Sequence, residues 1–237
     1  TLRWGAPVTS MRHFSALELT FLRAYVDVNA AHFLCQQTAQ SWVCDLNGFD
    51  QQFKGVSARD DKAIAEDVHS ITSGAPATVT FRGTSAKCGH FTLDGAASLV
   101  LDAPGGAMAW TNAHAFVSST TGGVFAAAGT LTLRDGLQLP AVSEIGAGKE
   151  GSTDAAVLAI ATADVRIGPA TKSPVVARLD GVGKVSLPAD YALTVWQCTT
   201  NGVHLRPGAY TKTSLPDRVA GEGTLVVRRG ASRPPTF

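Results

Sequence analysis

The chain has 237 residues, 45% of them hydrophobic and 16% charged, with a formal net charge of +1. That length exceeds the ~100–150 residues of a usual domain but fits a single all-β unit of ~200–250 residues, and the ordinary apolar content argues against a disordered chain. Near-neutral charge excludes a broad electrostatic footprint for nucleic acid, and Arg228, Arg229 and Arg233 read as a small solvated basic end.

In chain order, Ser15-Ala16-Leu17-Glu18 has the form of a capping box, and Leu17, Phe21 and Leu22 follow at helical spacing. The pattern predicts a helix near 15–28. Short strands are expected over 31–36 and 41–46, with a turn at Asn47-Gly48. A second helix is predicted over 57–71, with Asp60 and Asp61 in its first turn, where carboxylates favour the helix dipole. Residues 1–75 therefore read as a mixed helix and strand extension.

Beyond Pro76 the texture changes to short β-prone runs, broken every ~8–12 residues by Gly, Asp-Gly, Asn-Gly or Pro. The runs are 77–82, 87–93, 97–102, 107–112, 129–134, 137–145, 155–161, 174–179, 191–198, 203–206 and 223–229. With no crossover helices between them and no repeat of fixed period, they imply an antiparallel sandwich or pair of barrels.

No stretch reaches the ~20 apolar residues of a membrane span, and the N-terminal residues lack the apolar core of a signal peptide. The expectation is a soluble, cytoplasmic protein, in the host cytoplasm if the protein is viral. The start at Thr1 suits a trimmed chain or a segment released from a longer precursor. Cys35, Cys44, Cys88 and Cys198 show no metal-ligand cadence, and neither His-Glu-x-x-His nor Cys-x-x-Cys occurs. They read as free thiols in a reducing compartment, although Cys35 and Cys44 can also lie across a hairpin. No metal and no cofactor are expected. Gly146 to Gly151 lacks the Lys-Ser/Thr step of a phosphate loop.

Two strand ends carry the chemistry. Trp110-Thr111-Asn112-Ala113-His114-Ala115-Phe116 sets a histidine after an apolar strand, and Gly151-Ser152-Thr153-Asp154-Ala155-Ala156-Val157-Leu158 sets an aspartate before one. These segments resemble those holding the histidine and aspartate of chymotrypsin-like serine proteases, whether trypsin-like, HtrA-like or the small viral 3C-like kind. Cys88 to Gly95, Leu131 to Ala141, Pro174 to Leu179 and Ala189 to Val195 are similar to further strands of that family, so the resemblance covers about residues 77–230.

The resemblance implies two six-stranded-type antiparallel β-barrels, at 76–165 and 166–237, the second incomplete because only Ala231 to Phe237 follow the expected nucleophile turn. It implies His114 as general base and Asp154 as its orienting carboxylate, because a hydroxyl nucleophile needs an imidazole to take its proton and the imidazole needs a carboxylate to hold its tautomer. The family's Gly-x-Ser-Gly turn falls on Arg218 to Gly230, where no serine stands. One alignment puts Ala220 at the nucleophile position, a substituted serine, and the other puts Glu222 there. Gly221 and Gly223 would supply the oxyanion hole. Ser214 lacks flanking glycines, Cys198 comes too early, and His204 reads as structural.

Two functions follow. One is a serine endopeptidase, in the viral case a polyprotein-processing one, acting on a polypeptide substrate or precursor polyprotein with its nucleophile substituted. The other is a catalytically inactive binding or virion structural module. Neither takes nucleic acid as a partner, and the fold class alone does not choose between them.

Overall fold

The computed structural model describes residues 2–3, 24–26, 32–35, 42–53, 55–58, 69–82, 85–89, 91–111, 117–168 and 175–229. These residues are mainly β, as the short β-prone runs imply, but the strands pair in parallel. The antiparallel two-barrel arrangement is therefore not the architecture of the described residues. Among them, antiparallel pairing is confined to Gln197–Thr200 with Val203–His204, Gly208–Tyr210 with Thr224–Val227, and Ala24–Val26 with His32–Cys35.

The strands stack in three parallel columns, and each circuit of the chain lays one segment on each column. In the first column Trp42 pairs with His69 and Ser70 with Thr92. That column continues through a bridge from Val117 to Gln138, then Gln138 on Arg166 and Ala192 on Thr224. The second column runs from Gln51–Phe53 through Val79, Leu99 and Val124, and Glu144–Ala147 and Val176–Leu179 carry it to Gln197–Thr200. The third runs from Ser85–Gly89 through Ala107 and Thr130 to Ala156–Ile160, Lys184–Leu187 and Val219–Gly221. A parallel pair needs a long return path; here the other two columns supply it in place of a helix.

Alternation decides which side chains face the interior. Along Thr92–Thr111 buried and partly exposed residues alternate over most of the strand. In the third column Met108, Leu131, Leu158 and Val185 are in register and at most 1% exposed. They form an apolar ladder through four coils. In the coil that begins at Phe91, the Phe91 and Trp110 rings stack at 4.9 Å, and Trp110 Nε1 donates to the Phe91 carbonyl at 2.9 Å. This satisfies the one polar atom of a fully buried indole.

Corners demand special backbone. Gly148 sits at φ +85°, and a Cβ there would meet the Asp180 carbonyl of the next coil, so only glycine lets the two corners stack.

The predicted helices give way to strand wherever their residues are described. Ala24–Val26, Gly55–Ala58 and the start of His69–Phe81 are strands, and the rest of 15–28 and 57–71 lies outside the described residues. The expected boundaries at 75/76 and 165/166 fall within the stack: one strand spans His69–Phe81, and Glu144–Ala147 pairs with Val176–Leu179. Among the described residues no helix is long and apolar enough to cross a membrane.

Candidate functional site

His114 lies outside the described residues. Asp154 is exposed at the corner before Ala156–Ile160, its backbone N–H donating to Ser152 Oγ at 3.1 Å. Ala220 is half-buried in Val219–Gly221 and pairs with Ser186, which pairs with Ala159. Ala220 therefore stands two rungs away from Asp154 and level with a residue five positions past it. At ~3.3 Å per residue and ~4.8 Å per rung this separates them by more than about 12 Å. The structure does not bring Asp154 together with the Ala220 to Gly223 corner.

At that corner Glu222 is exposed and ion-paired with Lys212. The buried Gly223 commits its N–H to the Leu187 carbonyl at 3.1 Å, and a Cβ on Gly221 would meet that same carbonyl oxygen. The corner is packed against the preceding coil. Ser214 Oγ is engaged by Thr211, accepting from its N–H at 2.8 Å and donating to its carbonyl at 3.3 Å. His204 is exposed on the terminal hairpin. Cys198 is buried, which pushes its thiol up to about 12 and leaves it a poor nucleophile.

The outer surface holds two polar clusters that span coils. On the first column Asp94 accepts from Ser70 Oγ and Thr92 Oγ1 at 2.6 Å each, and from the Ser119 N–H and Oγ at 3.0 and 2.7 Å. Burial pushes its carboxyl up, and these four bonds outweigh burial and hold it below the ordinary range. The cluster staples three coils. On the second column the Arg178 guanidinium lies 5.2 Å from the Phe125 ring centre, with Nε 3.7 Å from Glu144 and 3.2 Å from Asp180. Phe125 lies across Gly123 and Gly146, where a Cβ would strike the ring. Burial raises the Glu144 carboxyl, Arg178 opposes that, and Asp180 adds to it. Both clusters are internally satisfied and leave little for a ligand.

A groove on the first column differs. It encloses about 260 Å³ between three coils, lined by Ala163 to Gly168 except Asp164, then Asp190 to Ala192, Thr194 and Arg228. Tyr191 forms a fixed wall, its hydroxyl donating to the Val165 carbonyl at 3.1 Å. Burial pushes that phenol up to about 12, with Arg166 opposing, so the wall is neutral at every physiological pH. Arg166 Nη1 donates to the Ala163 carbonyl at 3.0 Å, and the Arg228 backbone N–H to Val195 at 3.0 Å. None of these residues stands out in the sequence except Arg228, which reads there as part of a solvated end.

No family model matches this chain, and no curated protein and no solved structure matches it either. What the geometry defines is a mainly β chain of parallel stacked coils, with a polar, cation-bearing groove on one outer face.

Proposed function

We propose that the chain is a noncatalytic binding scaffold, a stack of parallel strands that holds the groove of Arg166, Tyr191, Thr194 and Arg228 at fixed spacing for a partner to occupy. One observation carries this reading. The groove's polar groups come from three successive coils, so the ladder that builds the fold also sets their separation. Rigid presentation of this kind is what a binding site on regular elements requires.

The binding module is preferred to the serine endopeptidase because acyl transfer needs nucleophile, base and oxyanion donors within hydrogen-bond reach. Asp154 stands far from the Ala220 corner, and the Gly223 N–H is already bonded to Leu187. The test treats the chain, Ala220→Ser and Glu222→Ser with a fluorophosphonate probe and an unstructured protein substrate. None should label or cleave. Labelling of any of them that disappears on His114→Ala would overturn this reading and restore the endopeptidase.

A further inference from the structure

We infer that the groove is an oxyanion site for an extended ligand carrying at least two carboxylate or sulfate groups at least about 10 Å apart. The inference rests on the binding-scaffold reading and names the chemistry of its ligand.

Three observations carry it. First, the groove lining holds two guanidinium groups against one carboxylate, Asp190, with a second carboxylate, Asp164, outside the lining but within electrostatic reach of Arg166. Among the described residues Arg166 and Arg228, like Arg206, Arg218 and Arg229, have no carboxylate at ion-pair distance, whereas Arg82, Arg134 and Arg178 each have one. Arg166 spends one N–H on the Ala163 carbonyl and keeps four of the five donors of its fork. A guanidinium offers that fork to a planar or tetrahedral oxyanion better than to any other common group.

Second, the two arginines belong to different rungs. Arg166 stands on Arg166–Ile167, Thr194 on the next coil, and Arg228 directly after Thr224–Val227, which pairs with Ala192–Val195. Two rungs of ~4.8 Å separate their backbones by at least about 10 Å, more than a single carboxylate spans, so each guanidinium serves its own anionic group. Third, apart from the Asp190 carboxylate the surface between them is uncharged: Tyr191, Ala192 and Thr194 line it, suited to the uncharged linker that joins two anionic groups.

The test measures binding of three probes to the full chain at low ionic strength, where screening is weak: a short oligogalacturonate, a short dextran sulfate and neutral dextran. Galacturonate monomer serves as the single-anion control. At least one charged oligomer should bind at least tenfold more tightly than the monomer, and neutral dextran should not bind. Arg166→Ala and Arg228→Ala should each weaken that binding at least tenfold, and Arg228→Lys, which keeps the charge but loses the fork, should fall between. Asp190→Asn should tighten it severalfold. Asp190 lies at φ +61°, a conformation that Asn also adopts readily, so that variant keeps its fold. Arg82→Ala, in a distant coil, should change nothing.

Absence of binding to both charged oligomers, equal affinity for monomer and oligomer, or an Arg82→Ala effect as large as the groove variants would overturn the oxyanion site and leave the scaffold reading standing. Shortening of a bound oligomer by the chain would do the reverse, removing the noncatalytic reading while the site stood.

Discussion

Replacing Leu158 by Ala should destabilise the chain by about 3–4 kcal/mol. Leu158 is fully buried, in register between Leu131 of the preceding coil and Val185 of the following one. Truncation removes three carbons, about 2.4 kcal/mol of transfer free energy at ~0.8 kcal/mol per methylene. The cavity adds a further term, because parallel rungs at fixed spacing cannot collapse onto it. Val157, one residue earlier and half exposed on the outer side, should lose less than about 1 kcal/mol on the same change. Denaturant unfolding of both variants measures the difference. A double-mutant cycle then addresses the register, with Leu131→Ala and Leu158→Ala coupled by at least ~0.5 kcal/mol. Equal losses at 157 and 158, or additivity of 131 and 158, would refute the parallel stacking of these strands.

Other consequences follow from individual residues. Gly148→Ala combines a left-handed backbone with a clash against the Asp180 carbonyl and should cost about 2 kcal/mol or more by thermal unfolding. Asp94 is held below its ordinary range in the folded chain, so the stability it contributes is present above the unfolded value near ~4 and lost as the pH falls through the folded one. Asp94→Asn should therefore flatten the acid limb of the stability profile below about pH 4, and an unchanged limb would contradict the four-bond staple. The buried Cys198 thiol, raised to about 12, should resist iodoacetamide in the native chain and react only on unfolding, as mass spectrometry of the labelled peptide can show.

Many of the strands were legible, though not Lys184–Leu187, Gly208–Tyr210 or Val219–Gly221, and their direction was not. The β-prone runs at 155–161, 174–179 and 223–229 mark Ala156–Ile160, Val176–Leu179 and Thr224–Val227 nearly to the residue. A β-prone run reads the same in a parallel and an antiparallel strand, however, and the missing crossover helices pointed to hairpins. The turn signals added to this. Asn201-Gly202 does close a hairpin, both residues at positive φ, with Thr200 pairing Val203. Asp135-Gly136 has the same conformation yet turns a corner of the stack, leading into Gln138–Leu139, which pairs in parallel with Arg166–Ile167. A dipeptide fixes local backbone, and only the next apolar column decides where the chain then goes.

The stack also escaped notice because its coils differ in length. The return to the same column takes 20 residues from Val79 to Leu99 but 34 from Val185 to Val219, so no fixed period marks it. The same irregularity hides the groove. Arg166, Thr194 and Arg228 are 28 and 34 residues apart, and they become neighbours only when Ala192–Val195 is laid on Thr224–Val227 and Arg166–Ile167 is placed one coil before. Catalytic motifs are sought as short strings because loops and helix ends gather their residues locally. A solenoid gathers residues across coils instead, one per rung and on the same outward parity. In such a fold the functional signal is an outward polar position recurring at coil-equivalent places, and it can be read only after the inward apolar ladder of Met108, Leu131, Leu158 and Val185 has set the register.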